Sequence, residues 1–172
     1  MFRSGSAQSR HRPLYTKAER ARRDATVWTT VQAVLAPLQF LVFLVSLALV
    51  LRYLWTGEGL FAATTSIVIK TGVLYVIMIT GAIWEKVVFG QYLLAPAFFW
   101  EDVVSFAVIA LHTAYLVALL TAVVGPAEQM AIALAAYAIY VMNAAQFLLK
   151  LRAARLSAPS AEDPRASAEV PA

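Results

Sequence analysis

The chain has 172 residues, 61% of them hydrophobic and 14% charged, with a formal net charge of +4. So small a charged share falls well below that of soluble domains and places most of the chain in lipid. Cysteine is absent, which excludes disulfides, thiolate metal sites and cysteine nucleophiles together and leaves the redox compartment unread.

In chain order, residues 1–24 form a basic arm that holds seven of the 14 Lys and Arg, including Lys17, Arg20, Arg22 and Arg23. Its first dozen residues are expected to be disordered. Residues 25–152 then read as a four-helix membrane domain, because each of four apolar runs can cross a hydrocarbon core of roughly 30 Å at about 1.5 Å rise per residue. Helices are expected because they satisfy their own backbone hydrogen bonds in lipid.

The first span covers about 25–54; its charge-free run, Ala25 to Leu51, is too long for a signal-peptide core and reads as an uncleaved anchor. The second covers about 60–86 and is interrupted by Lys70, the third about 101–124 with His112 inside it, and the fourth about 127–151. Gly57-Glu58-Gly59 and Gly125-Pro126 supply short connections, so neighbouring helices should be antiparallel.

Basic residues near membrane ends stay in the cytoplasm, and they lie in the arm and again at Lys150, Arg152 and Arg155. An even number of spans therefore puts both termini there. The stretch WEKVVFGQYLLAPAFFWED, Trp84 to Asp102, comes to the same face. Its apolar part, Val87 to Trp100, holds Gly90 and Pro96 and is too short to cross, so an interfacial or re-entrant segment is expected between the second and third spans. Residues 153–172, rich in Ala, Ser, Pro and charge, should form a disordered cytoplasmic tail.

Polar side chains deep in a membrane cost about 2.5 to 3.5 kcal/mol each on insertion scales, so each requires a reason. Gln32 and Gln39 share a face of the first span. Glu101, Ser105 and His112 stack at spacings of four and seven on the third, and Tyr140, Asn143 and Gln146 follow at steps of three on the fourth. With Glu85 ending the second span and Asp102 beside Glu101, all four helices can aim polar groups at one cavity on the cytoplasmic side. The plainer reading makes the amides interhelical hydrogen bonders, the carboxylates interfacial charges and His112 an interhelical donor, with Lys70 snorkelling to the outer interface. Crowded carboxylates beside aromatic surface point instead to a proton donor, and a mid-depth imidazole to metal ligation or proton movement.

No Walker loop, dinucleotide fingerprint, zinc motif or nucleophile elbow is present, and one histidine within the spans cannot supply bis-histidine haem ligation. The basic arm fits anionic lipid better than nucleic acid.

The stretch GAIWEKVVFGQYLLAPAFFWEDVVSFAVIALHTAY, Gly81 to Tyr115, resembles the hallmark region of the vinyl bacteriochlorophyllide hydratases of photosynthetic bacteria. PLYTKAERARRDATVW, LAPLQFLVFLVSLALVLRYL and NAAQFLLKLR extend that resemblance from about Pro13 to Leu156. It implies a hydro-lyase of bacteriochlorophyll a synthesis in a bacterial inner membrane, cytoplasmic or intracytoplasmic. Such an enzyme adds water to the ring-A vinyl group of a chlorophyllide or bacteriochlorophyllide to give a hydroxyethyl group, with no redox cofactor and no metal of its own. Its partners would be that pigment, membrane lipid and neighbouring enzymes of the same synthesis, and a homo-oligomer is allowed.

Hydration of this kind needs an acid, a water held by a base and cover for a developing cation. Glu101 or Glu85 is expected to be the acid, with Asp102 or the other glutamate orienting the water. His112, about 16 Å from Glu101 by helical rise, would ligate the pigment's magnesium or orient its propionate. Gln39, Asn143 and Gln146 are expected to contact substrate, and Tyr92 and Phe99, with Phe89 and Phe98, to form an aromatic wall. A non-enzymatic pigment-binding or assembly protein is the main rival and would give no hydroxyethyl product. A small proton-coupled transporter is the second, and would move solute without pigment specificity.

Overall fold

The computed structural model describes residues 14–156, and all regular structure among them is helical: α1 (Lys17–Ala25), α2 (Val27–Thr56), α3 (Leu60–Phe89), α4 (Phe99–Thr121) and α5 (Pro126–Leu156). The expected disorder of the first dozen residues and of the far tail lies outside the described residues. The last four helices are long and apolar enough to cross a membrane. Their outer faces show the large apolar side chains that a lipid-facing surface carries, such as Leu41, Trp55, Phe61 and Leu120.

α2 packs along α3, and α4 along α5, so the bundle is two hairpins set together. Contacts between the hairpins, α2 with α5 and α3 with α4, are sparser, which leaves a seam between α3 and α4. Gly57 ends α2 at φ 74, a left-handed conformation that glycine adopts without steric cost. The apolar core runs along the bundle interior and includes Phe43, Val50, Ile67, Leu74, Val108, Tyr115, Met130, Tyr137 and Tyr140.

Part of the arm is a helix of its own. Thr16 and Glu19 form a reciprocal capping box at the start of α1, and Thr26 ends α1 while its hydroxyl caps α2. α1 lies against the end of α3: the Arg22 guanidinium donates twice to the carbonyl of Val88, at 2.9 and 2.7 Å, where a cation suits the negative end of the helix. Beside it Tyr15, Trp84, Phe89, Phe98 and Phe147 form a second apolar cluster.

α3 continues to Phe89 and α4 begins at Phe99, leaving residues 90–98 as the irregular segment between the second and third spans. One expectation changes. Lys70 does not snorkel outward; it is fully buried and its side chain turns toward α4 and α5. An imidazole and three aromatic rings meet the ammonium there, which removes the reason for it to seek water.

Candidate active site

The irregular segment 90–98 holds two carboxyl groups at the α3–α4 seam. Its residue Leu94 sits at φ 59, a left-handed conformation rarely taken by a branched side chain and one that costs about 1–2 kcal/mol. That turn aims successive backbone N–H groups at different helices. Leu94 N–H donates to Asp102 Oδ2 on α4 at 2.7 Å, and Ala95 N–H donates to Glu85 Oε2 on α3 at 3.2 Å. Glu85 and Asp102 are both buried, and their carboxyl groups come within hydrogen-bonding reach of each other.

Glu101 is adjacent to Asp102 in sequence but turns to another partner, as consecutive helical residues must. Its carboxylate pairs with Lys150 of α5, whose ammonium also stands 5.0 Å from the centre of the Phe98 ring. The three acids therefore gather at one end of the bundle in two arrangements, a carboxyl pair and an ion pair.

One turn farther along α4, Ser105 accepts from Asn143 Nδ2 of α5 at 2.8 Å. Asn143 Oδ1 and Gln146 Oε1 are buried and have no partner among the described residues. Gln39 of α2 is only 2% exposed, and neither its oxygen nor its nitrogen has a partner among the described residues. It lies one turn from Phe43, whose ring packs on Tyr140 at 5.0 Å, so the unpartnered amides of α2 and α5 face the same interior. Gln32 behaves differently: it donates to Thr80 Oγ1 at 2.8 Å, and its amide occupies the space left by Gly81. Unpaired amide atoms such as these inside an apolar bundle are costly unless water or a ligand meets them.

Deeper still, Lys70 of α3 and His112 of α4 cross the same seam. His112 Nδ1 lies 2.8 Å from the carbonyl of Val108, which fixes the proton on that nitrogen, and Nε2 then accepts from Lys70 Nζ at 2.8 Å. With Nε2 engaged, His112 can ligate a metal only by releasing Lys70. Tyr140, Tyr137 and Phe43 surround the ammonium at 4.2, 5.0 and 6.0 Å. Tyr137 is bonded in turn to Ser46, and Ser46 to Ser66 at 2.8 Å.

Glu101, Ser105 and His112 thus share one buried stripe. Tyr92 and Phe99 lie elsewhere: Tyr92 is 60% exposed beneath the Lys86 ammonium, and Phe99 packs on exposed Trp100. Phe89 and Phe98 belong to the cluster around Tyr15 rather than to the polar interior. Lys70 is the residue that sequence reasoning left out of the site. Its distance from the start of α3, ten residues, nearly equals that of His112 from the end of α4, nine residues, and this shared depth was the available signal.

Chemically, a carboxyl pair removed from water and held by backbone donors can keep one proton between its members, release it and take another back.

The family model described as 2-vinyl bacteriochlorophyllide hydratase matches residues 15–153. A curated protein of that name from Cereibacter sphaeroides is 71% identical over 154 residues, covering 88% of this chain and 94% of the relative. Another from Rhodobacter capsulatus is 73% identical over 149 residues, covering 86% and 85%. No solved structure gives a significant match.

Proposed function

The chain belongs to the 2-vinyl bacteriochlorophyllide hydratase family, and on that premise we propose that its Glu85–Asp102 pair catalyses acid-promoted addition of water to the ring-A vinyl group of a chlorophyllide or bacteriochlorophyllide. One member of the pair gives its proton to the terminal vinyl carbon, making it a methyl group. The inner carbon is left cationic, and the macrocycle spreads that charge. Water then bonds to the inner carbon through oxygen and loses a proton to the carboxylate just formed. The pair returns to its starting state, and the pigment has gained one water as a 1-hydroxyethyl group. The observation that carries this reading is the meeting of two buried carboxyl groups from separate spans, each held by an N–H of the strained turn at Leu94.

The other site residues act around that pair. Glu101, anchored by Lys150, adds negative charge near the developing cation without leaving its helix. Gln39, Asn143 and Gln146 offer unpartnered amide atoms for the attacking water and for polar substituents of the pigment. The sparse α3–α4 contact is the route by which a pigment dissolved in lipid reaches the site.

Orientation follows from charge. Both termini lie in the cytoplasm, so residues 90–98 lie at the cytoplasmic interface of the bacterial inner membrane, and product leaves through lipid toward neighbouring enzymes of the same synthesis.

The test uses purified protein, a vinyl-bearing chlorophyllide and water, with nothing else added. Expected are a blue-shifted Qy band, a gain of one water in mass and uptake of heavy oxygen from labelled water. Pigment binding without those changes would assign a carrier instead. Parental turnover in the Glu85→Gln, Asp102→Asn double variant would remove the pair from the mechanism.

A further inference from the structure

We propose that Lys70, set on His112 inside an aromatic box, is the anchor for the propionate carboxylate of the pigment. This rests on the reading of Glu85 and Asp102 as the hydration site and adds the second point of attachment that a flat, otherwise apolar substrate requires for orientation.

Lys70 is completely enclosed, yet none of the ion pairs among the described residues includes it; those are Arg23–Asp24, Arg52–Glu58 and Lys150–Glu101. An ammonium buried without a counter-charge is among the costlier features a membrane bundle can carry. His112 Nε2 takes one of its three N–H donors, and the aromatic faces of Tyr140, Tyr137 and Phe43 attract the cation without neutralising it. The box therefore holds a positive charge in place and leaves donors for an anion. His112 is locked by the Val108 carbonyl with its acceptor toward Lys70, so the ammonium is held between α3 and α4.

Position supports the same partner. On α4, His112 lies ten residues beyond Asp102, about 15 Å at helical rise. Between the two ends stand Ser105, Val108, the Gln39 amide and Asn143, whose Oδ1 has no partner among the described residues. A cationic end and a carboxyl-pair end on one seam match a rigid macrocycle that carries a carboxylate on one ring and a vinyl group on the adjoining ring.

The experiment compares a vinyl chlorophyllide with its propionate methyl ester on intact protein in lipid. The readout is the ratio of their kcat/KM values, which cancels any general loss of activity. The parent should prefer the free acid by about tenfold or more, the worth of one charge-assisted hydrogen bond. Lys70→Met should bring the ratio close to one, and Lys70→Arg should retain a preference. Should Lys70→Met fail to accumulate in the membrane, Lys70→Gln is read the same way. A parental ratio near one, or an unchanged ratio after loss of the lysine charge, overturns the anchor. Absorbance titration of both pigments into the Glu85→Gln, Asp102→Asn protein keeps the two readings separate. Preference for the free acid there stands or falls with Lys70 alone, whereas persistence of turnover there removes only the acids.

Discussion

Asp102 Oδ2 accepts the backbone N–H of Leu94 at 2.7 Å, so the acid on the first turn of α4 fixes the loop that leads into its own helix. The same turn delivers the next N–H, that of Ala95, to Glu85 on α3. Residues 90–98 are thus more than a connection: they set the distance between two acids on separate spans.

Loss of either acid should stop chemistry without preventing pigment binding. Glu85→Gln and Asp102→Asn keep shape and hydrogen bonding but cannot pass a proton, so kcat should fall about 10²- to 10⁴-fold, the usual contribution of a positioned acid or base. Absorbance titration should give a pigment affinity within a few-fold of the parent. An equal loss of binding would mean that the pair holds the pigment rather than reacting with it.

The strained turn gives a second expectation. Leu94→Gly accepts φ 59 without penalty and should retain activity, whereas Leu94→Val, branched at Cβ, resists that conformation and should release both N–H donors. Turnover of the valine variant should drop while its thermal midpoint in detergent moves little. If valine is as active as leucine, the turn does not position the acids.

Glu101 and Lys150 join α4 to α5 at the same end of the bundle, and the glutamate side of the pair is 9% exposed. Glu101→Gln and Lys150→Met should each destabilise the protein, and the double variant should lose less than the two losses added. A double-mutant cycle on unfolding in detergent should give a coupling of about 1–3 kcal/mol, above that of a solvated surface pair. Glu101→Gln should also lower kcat less than Glu85→Gln, because Lys150 already holds its charge.

Much of this was legible before any coordinates. Four apolar runs with short glycine-containing joints announce four helices, and the spacing of Glu101, Ser105 and His112 marks the stripe that is buried. The facing of α3 was not legible. It is apolar nearly all round, so no periodic stripe says which side turns inward, and only packing against α4 and α5 brings Lys70 to His112. The choice of partner among three neighbouring acids was hidden for a related reason: a helix sends consecutive side chains in different directions, so Glu101 reaches Lys150 while Asp102 reaches Glu85. The first helix carries a readable signature, Thr16 with Glu19 three residues on, within a run whose basic residues also bear on topology.

Access through the α3–α4 seam can be tested where Tyr75 and Thr113 meet on its outer side, their hydroxyls 2.7 Å apart. The chain has no cysteine, so Tyr75→Cys with Thr113→Cys places the only two thiols in the protein across that seam. Before linking, the double variant should turn over pigment close to the parental rate, since the hydroxyl contact is exposed and worth only about 0.6 kcal/mol on average for bonds of this kind in membranes. Joining the thiols with a short bifunctional reagent should then abolish turnover of newly added pigment. Pigment bound before linking should still be hydrated, but only once. Full multiple-turnover activity after complete linking would mean that the seam stays shut during catalysis and that pigment reaches Glu85 and Asp102 from the interface, past residues 90–98.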